Sequence, residues 1–155
     1  MKIISHNAEE TKKFAGQLAK TFKGGDIIGL HGDLGSGKTS FVQGLAEGLG
    51  VKEKVNSPTF ILMKIYPVRF ELSRKEPKQK AKSKIKKLIH LDAYRLRNFK
   101  EFQDIGVDEY LNCPDSLVVI EWVEKVAQVK KKPNYQEIGF AFGKKTNERI
   151  ITLLK

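Results

Sequence analysis

The sequence predicts a three-layer α/β protein: a mostly parallel sheet between helices, closed by a C-terminal antiparallel strand pair. Three observations lead there. A short apolar run, Ile27-Ile28-Gly29-Leu30, feeds a glycine-rich loop and then an amphipathic helical pattern. Two further apolar runs, 88–92 (LIHLD) and 117–121 (LVVIE), each end in a carboxylate, as buried strands do when their carboxyl ends border a site. Near the C-terminus Ile138, Phe140 and Phe142 alternate, 143–147 turns, and 149–154 returns, which is a hairpin pattern.

Taken in order, residues 7–22 predict the first helix. Asn7 supplies the cap and Glu10 the capping-box partner, while Thr11, Phe14, Leu18 and Phe22 share one face. Lys23-Gly24-Gly25 ends it. The strand 27–30 then opens the loop Gly32-Asp33-Leu34-Gly35-Ser36-Gly37-Lys38-Thr39, which fits G-x-x-x-x-G-K-[ST], the phosphate-binding P-loop. Glycines let the backbone curl its N–H groups around one anion. Lys38 brings a mobile charge for the β- and γ-phosphates, and the Thr39 hydroxyl can ligate Mg²⁺. The helix 38–49, with Phe41, Leu45 and Leu49 on one face, points its positive end at the same place. A glycine-rich turn that merely contains Lys-Thr would lack this strand–loop–helix setting.

Beyond a loop at 50–56, Pro58 biases Ser57 to an extended backbone and stiffens the approach to Thr59. Thr59 reads either as a nucleotide-sensing hydroxyl or as a plain strand-start threonine. Residues 60–66 are β-branched and aromatic enough to predict a strand. Residues 98–111 predict two short helical turns broken at Gly106, and 123–132 a short helix stopped before Pro133. The whole, 1–155, is expected to be a single P-loop NTPase-like domain with a basic loop insertion at about 67–88.

Composition narrows the class. The 155 residues are 40% hydrophobic and 30% charged, ordinary for a globular protein. The first ten residues lack a signal-peptide pattern, and no apolar run nears the ~20 residues of a membrane helix, so a cytoplasmic protein without membrane contact is expected. One cysteine excludes an intrachain disulfide. Of the net charge of +11, the stretch 69–87 carries +7, with nine Lys/Arg against two Glu. It reads as a mobile or hairpin-tip loop. Its lysines could touch an RNA backbone. A solvated loop is favoured, because no aromatic ring for base stacking lies between them.

A P-loop ATPase needs an acid at the end of a neighbouring buried strand. Asp92 and Glu121 are the two candidates, and one can hold the metal while the other positions or activates the attacking water. Residue types alone do not assign the two roles. Trp122 is either a core ring or a contact surface; if the strand runs on through it, alternation puts it on the face opposite Glu121.

In combination these motifs resemble the TsaE (YjeE) family, the small ATPases of bacterial tRNA threonylcarbamoyladenosine (t6A) synthesis. The resemblance runs through GDLGSGKTS at 32–40, SPTF at 57–60, HLDAYRL at 90–96, FQDIGVDEY at 102–110, VVIEW at 118–122 and the C-terminal strand pair. It implies that Gly35, Ser36, Gly37, Lys38, Thr39 and Ser40 cradle the phosphates of ATP, with Thr39 and Glu121 as Mg²⁺ ligands. Thr59 would be the switch-like threonine, Asp92 the acid implicated in hydrolysis, and Trp122 a functionally important ring for partner contact or regulation. The stretch 5–11 would lie near adenine. The implied partner is the TsaB–TsaD pair, whose turnover ATP hydrolysis would support, with the carbamoyl transfer itself belonging to TsaD and tRNA met indirectly. The insertion at 67–88 departs from the family, which usually has a much shorter link there. The alternative from another class is a small-molecule or nucleoside kinase. Against it, Arg95 and Arg97 form the only close arginine pair outside the insertion, and the length leaves little room for a lid.

Overall fold

The computed structural model describes residues 1–69 and 85–154. The elements are β1 (Lys2–Ser5), α1 (Ala8–Leu18), β2 (Ile27–His31), α2 (Lys38–Gly48), β3 (Met63–Pro67), β4 (Lys87–Asp92), α3 (Phe99–Asp104), α4 (Asp108–Leu111), β5 (Ser116–Glu121), β6 (Tyr135–Phe142) and β7 (Arg149–Leu154). They build one seven-stranded mixed sheet in the order β1-β7-β6-β2-β5-β4-β3. The four central strands, β6-β2-β5-β4, run parallel, and antiparallel neighbours flank them on both sides. The expected C-terminal pair is β6–β7, with Phe140 opposite Ile151.

Central position explains the apolar runs. Every residue of β5 is buried, as are Ile27 to Leu30 of β2, because helical elements cover both faces. Alternation sorts the side chains. Ile28, Leu30, Leu88, Leu117 and Val119 face α1 and α2, whereas Ile27, Ile89, Leu91, Val118 and Ile120 face α3, α4 and the segment after β5. Phe41 of α2 centres the first core, edge-on to Phe140 at 5.5 Å. Helices α1 and α2 approach closely at Gly44, where any Cβ would strike the Lys12 carbonyl. The cap of α1 forms as expected: Asn7 Oδ1 accepts from Glu10 N at 2.9 Å, and Glu10 Oε2 accepts from His6 N at 2.8 Å.

Four features differ from what the sequence predicts. The strand expected over 60–66 begins only at Met63. The N–H groups of Ile61 and Leu62 turn back to the Pro58 carbonyl, Leu62 takes φ 63°, and Phe60 is 84% exposed. Strand β1 has no sequence signal of its own; its four residues are held by pairing with β7. The helix expected over 123–132 is a 3₁₀ segment, Val123–Lys131, kinked at Val126, where φ is −132° and ψ 45°. Antiparallel pairing extends beyond the expected C-terminal pair, since β3 pairs antiparallel with β4 and β1 with β7. The loop reading of 69–87 falls mostly on residues outside those described. Among the described residues no helix is long and apolar enough to cross a membrane.

Candidate functional site

The site forms where the carboxyl ends of β2, β4 and β5 meet the N-terminus of α2. Gly37 caps α2 with φ 102°, a left-handed conformation that a side chain would strain. This turn carries Lys38 and Thr39 into the first helical residues, from which the Thr39 hydroxyl reaches Glu121 at the end of β5. A cavity of about 380 Å³ opens there, lined by Gly35, Lys38, Thr39, Ser57, Thr59, Asp92, Tyr94, Glu121 and Trp122 among others. Candidates that lie far apart in sequence thus share one space, Gly37 and Ser40 included. Ser36 turns inward instead, fully buried, with its hydroxyl unpartnered.

The two carboxylates are direct cross-strand partners, Asp92 opposite Glu121. Alternation puts both on the α2 face, in line with Leu88 on β4 and Val119 on β5. Both are nearly buried, at 4% and 2% exposure, yet their partners differ. Asp92 Oδ2 accepts from Ser57 Oγ at 2.8 Å and Thr59 Oγ1 at 2.9 Å, and Oδ1 accepts from Tyr94 N at 2.9 Å. Glu121 accepts from Thr39 Oγ1, which lies 3.1 Å from each oxygen, and His90 Nε2 lies 2.8 Å from Oε1.

Lys38 is folded back on its own loop. Its Nζ donates to the Gly32 carbonyl at 2.6 Å and to that of Asp33 at 2.9 Å, and lies 3.8 Å from the centre of the Trp122 ring. Burial draws its pKa below the ordinary lysine value, opposed by the charges of Glu121, Glu124, Asp92 and Asp33. The indole of Trp122 does not point away from Glu121. β5 ends at Glu121, Trp122 adopts φ 59° and ψ 43°, and its ring turns back into the cavity beside Tyr94, 4.9 Å between centroids.

A second cavity of about 370 Å³ shares Gly35, Gly37 and Ser40 with the first and extends to Asn7, Ala8, Thr11, Asn147 and Arg149. Arg149 Nε donates to the Gly35 carbonyl at 3.2 Å, tying the last hairpin to the loop. This cavity is lined by three residues of the 5–11 stretch and by neither Asp92 nor Glu121.

The residue patterns of the sequence do not mark His90, Ser57, Tyr94 or Arg149 as site residues. For His90 a signal existed: it precedes Asp92 by two in a strand, so it shares that residue's face. The contacts of Tyr94 and Arg149 depend on turns that no periodicity reveals.

As to a metal, the oxygen donors lining the cavity include the Thr39 hydroxyl and the carboxylates of Glu121 and Asp92, all hard oxygens. Among the described residues no group of three or more His, Cys, Asp or Glu forms a cage by itself. Such a set fits Mg²⁺, which keeps several waters and takes phosphate oxygens as ligands.

The fold and the site define an α/β protein with a mixed sheet, a P-loop motif at its strand ends and two carboxylates facing that loop. The family model described as threonylcarbamoyl adenosine biosynthesis protein TsaE matches residues 5–151. The chain belongs to the TsaE family. It is 35% identical over 127 residues to the tRNA threonylcarbamoyladenosine biosynthesis protein TsaE of Treponema pallidum, covering 82% of each chain. To the protein of that name from Streptomyces coelicolor it is 37% identical over 134 residues, 85% of this chain and 80% of that one. The crystal structure of Bacillus subtilis YdiB superposes with a TM-score of 0.70 at 30% identity, covering 99% of this chain and 83% of that one.

Proposed function

We propose that this protein is a cytoplasmic, Mg²⁺-dependent ATPase of low intrinsic activity that supports the TsaB–TsaD complex in t6A modification of tRNA. The observation that carries the reading is the pairing of Lys38 and Thr39, on one loop, with two carboxylates set in register on neighbouring parallel strands. The mixed α/β sheet and the family supply its setting.

In this reading the backbone of 35–40 cradles the phosphates, and Lys38 leaves the Gly32 and Asp33 carbonyls to meet them. Thr39 and Glu121 hold Mg²⁺, which when bound neutralises charge on the phosphate oxygens. Asp92 orients the attacking water and accepts its proton, once Ser57 and Thr59 release Oδ2. Thr59 thereby acts as the switch that senses the γ-phosphate. Trp122 and Tyr94 wall the cavity and limit water access, and a partner that moves them would change turnover. The second cavity, beside 5–11 and Arg149, has room for adenine and ribose.

The test is ATP hydrolysis by the full chain, alone and with TsaB–TsaD. Slow release of phosphate alone, raised at least several-fold by the pair, supports the reading. Tight nucleotide binding without hydrolysis under either condition would overturn it.

A further inference from the structure

His90 lies in the fully buried part of β4, at 0% exposure, with Ile89 and Leu91 as neighbours. An apolar residue would serve the packing of such a strand better, because a buried polar atom without a partner costs about 1–3 kcal/mol. His90 carries such an atom: Nδ1 is buried and unpartnered. The other ring nitrogen, Nε2, meets Glu121 Oε1 at 2.8 Å. An ionised carboxylate only accepts, so in that state Nε2 bears the proton and donates.

The contact distinguishes the two oxygens of Glu121. Oε1 takes His90 from the neighbouring strand, while Thr39 Oγ1 is shared between Oε1 and Oε2. Both donors sit on regular elements, His90 on β4 and Thr39 on α2, so the carboxylate is fixed from two directions. We propose that His90 is a positioning residue for Glu121: it anchors Oε1 and so presents Oε2, with the Thr39 hydroxyl, to the divalent cation of a metal–nucleotide complex. The inference rests on the proposed role of Glu121 and adds the group that sets its geometry. Hydrogen bonds to metal-binding carboxylates of this kind are typically worth about 10–100-fold in metal affinity or activity.

The test compares His90→Leu and His90→Gln in the full chain, reading binding of a fluorescent ATP analogue by anisotropy, with Mg²⁺ titrated and with chelator. Glutamine places its Nε2 the same number of bonds from Cα as histidine does and can donate to Oε1; leucine cannot. His90→Leu should weaken Mg²⁺-dependent binding about 10–100-fold and leave metal-free binding unchanged, while His90→Gln stays near the parent. Should His90→Leu fail to fold, His90→Asn, too short to reach Oε1, takes its place with the same expected loss. An unchanged Mg²⁺ dependence, or equal loss with and without metal, would overturn the proposal. Glu121→Gln measured alongside separates the two levels. If it loses Mg²⁺-dependent binding while His90→Leu does not, the positioning role alone fails. If Glu121→Gln itself has no effect, the metal assignment fails, and the role of His90 with it.

Discussion

Asp92 and Glu121 stand opposite each other on adjacent parallel strands, each closing an apolar run, and by pattern alone they are equivalent. Their surroundings are not. Glu121 is gripped by His90 and Thr39, side chains of a buried strand and of a helix N-terminus. Asp92 is held by Ser57 and Thr59, on a segment that forms only a turn before β3, with Ser57 exposed and Thr59 half-buried. A carboxylate fixed by regular elements suits a ligand that must keep one geometry. One held by a loop suits a role that begins when the loop moves. In the proposed function the same local sequence pattern thus serves two roles, divided by what reaches each acid through the fold.

Several substitutions probe that division, the largest expected effect first. Lys38→Ala removes the charge shared by both halves and should cut ATP hydrolysis by about 100-fold or more; phosphate release in a steady-state assay reads it. Glu121→Gln should weaken nucleotide binding about 10–100-fold with Mg²⁺ and little in chelator; equal losses would move the metal to Asp92. Thr59→Val keeps shape but frees Asp92 Oδ2 from one hydroxyl. It should change kcat by only a few-fold while leaving nucleotide affinity in place, and a collapse of affinity would make Thr59 a binding group. Asn98→Ala lies outside the comparison. It removes the cap whose Oδ1 accepts from Glu101 N at 3.0 Å, and should cost about 1 kcal/mol of stability in a denaturant titration without altering Mg²⁺ dependence.

What the sequence reveals here follows physical range. The strand–loop–helix around Lys38, the buried strands β4 and β5, and the C-terminal hairpin are legible because each is long, apolar and strongly periodic or carries a motif with its mechanism attached. Strand β1 is not, since Lys2–Ser5 has little preference of its own and exists through its pairing with β7. The turn at 59–62 hides behind residues that favour strands, because Leu62 takes a left-handed backbone that its side chain would not suggest. Trp122 misleads for the same reason: its left-handed φ ends the alternation from which its direction would be read. Both exceptions border the cavity or its rim, where local preference yields to the geometry of the site.

The most direct measurement sets Asp92→Asn beside Glu121→Gln and reads Mg²⁺–ATP affinity and single-turnover hydrolysis on the same protein. The account predicts a crossed result. Asp92→Asn should bind Mg²⁺–ATP nearly as the parent does and hydrolyse it about 100-fold more slowly, whereas Glu121→Gln should lose its affinity for Mg²⁺–ATP first. Identical defects in the two variants, or the reverse assignment, would contradict the division of labour between the two strand ends.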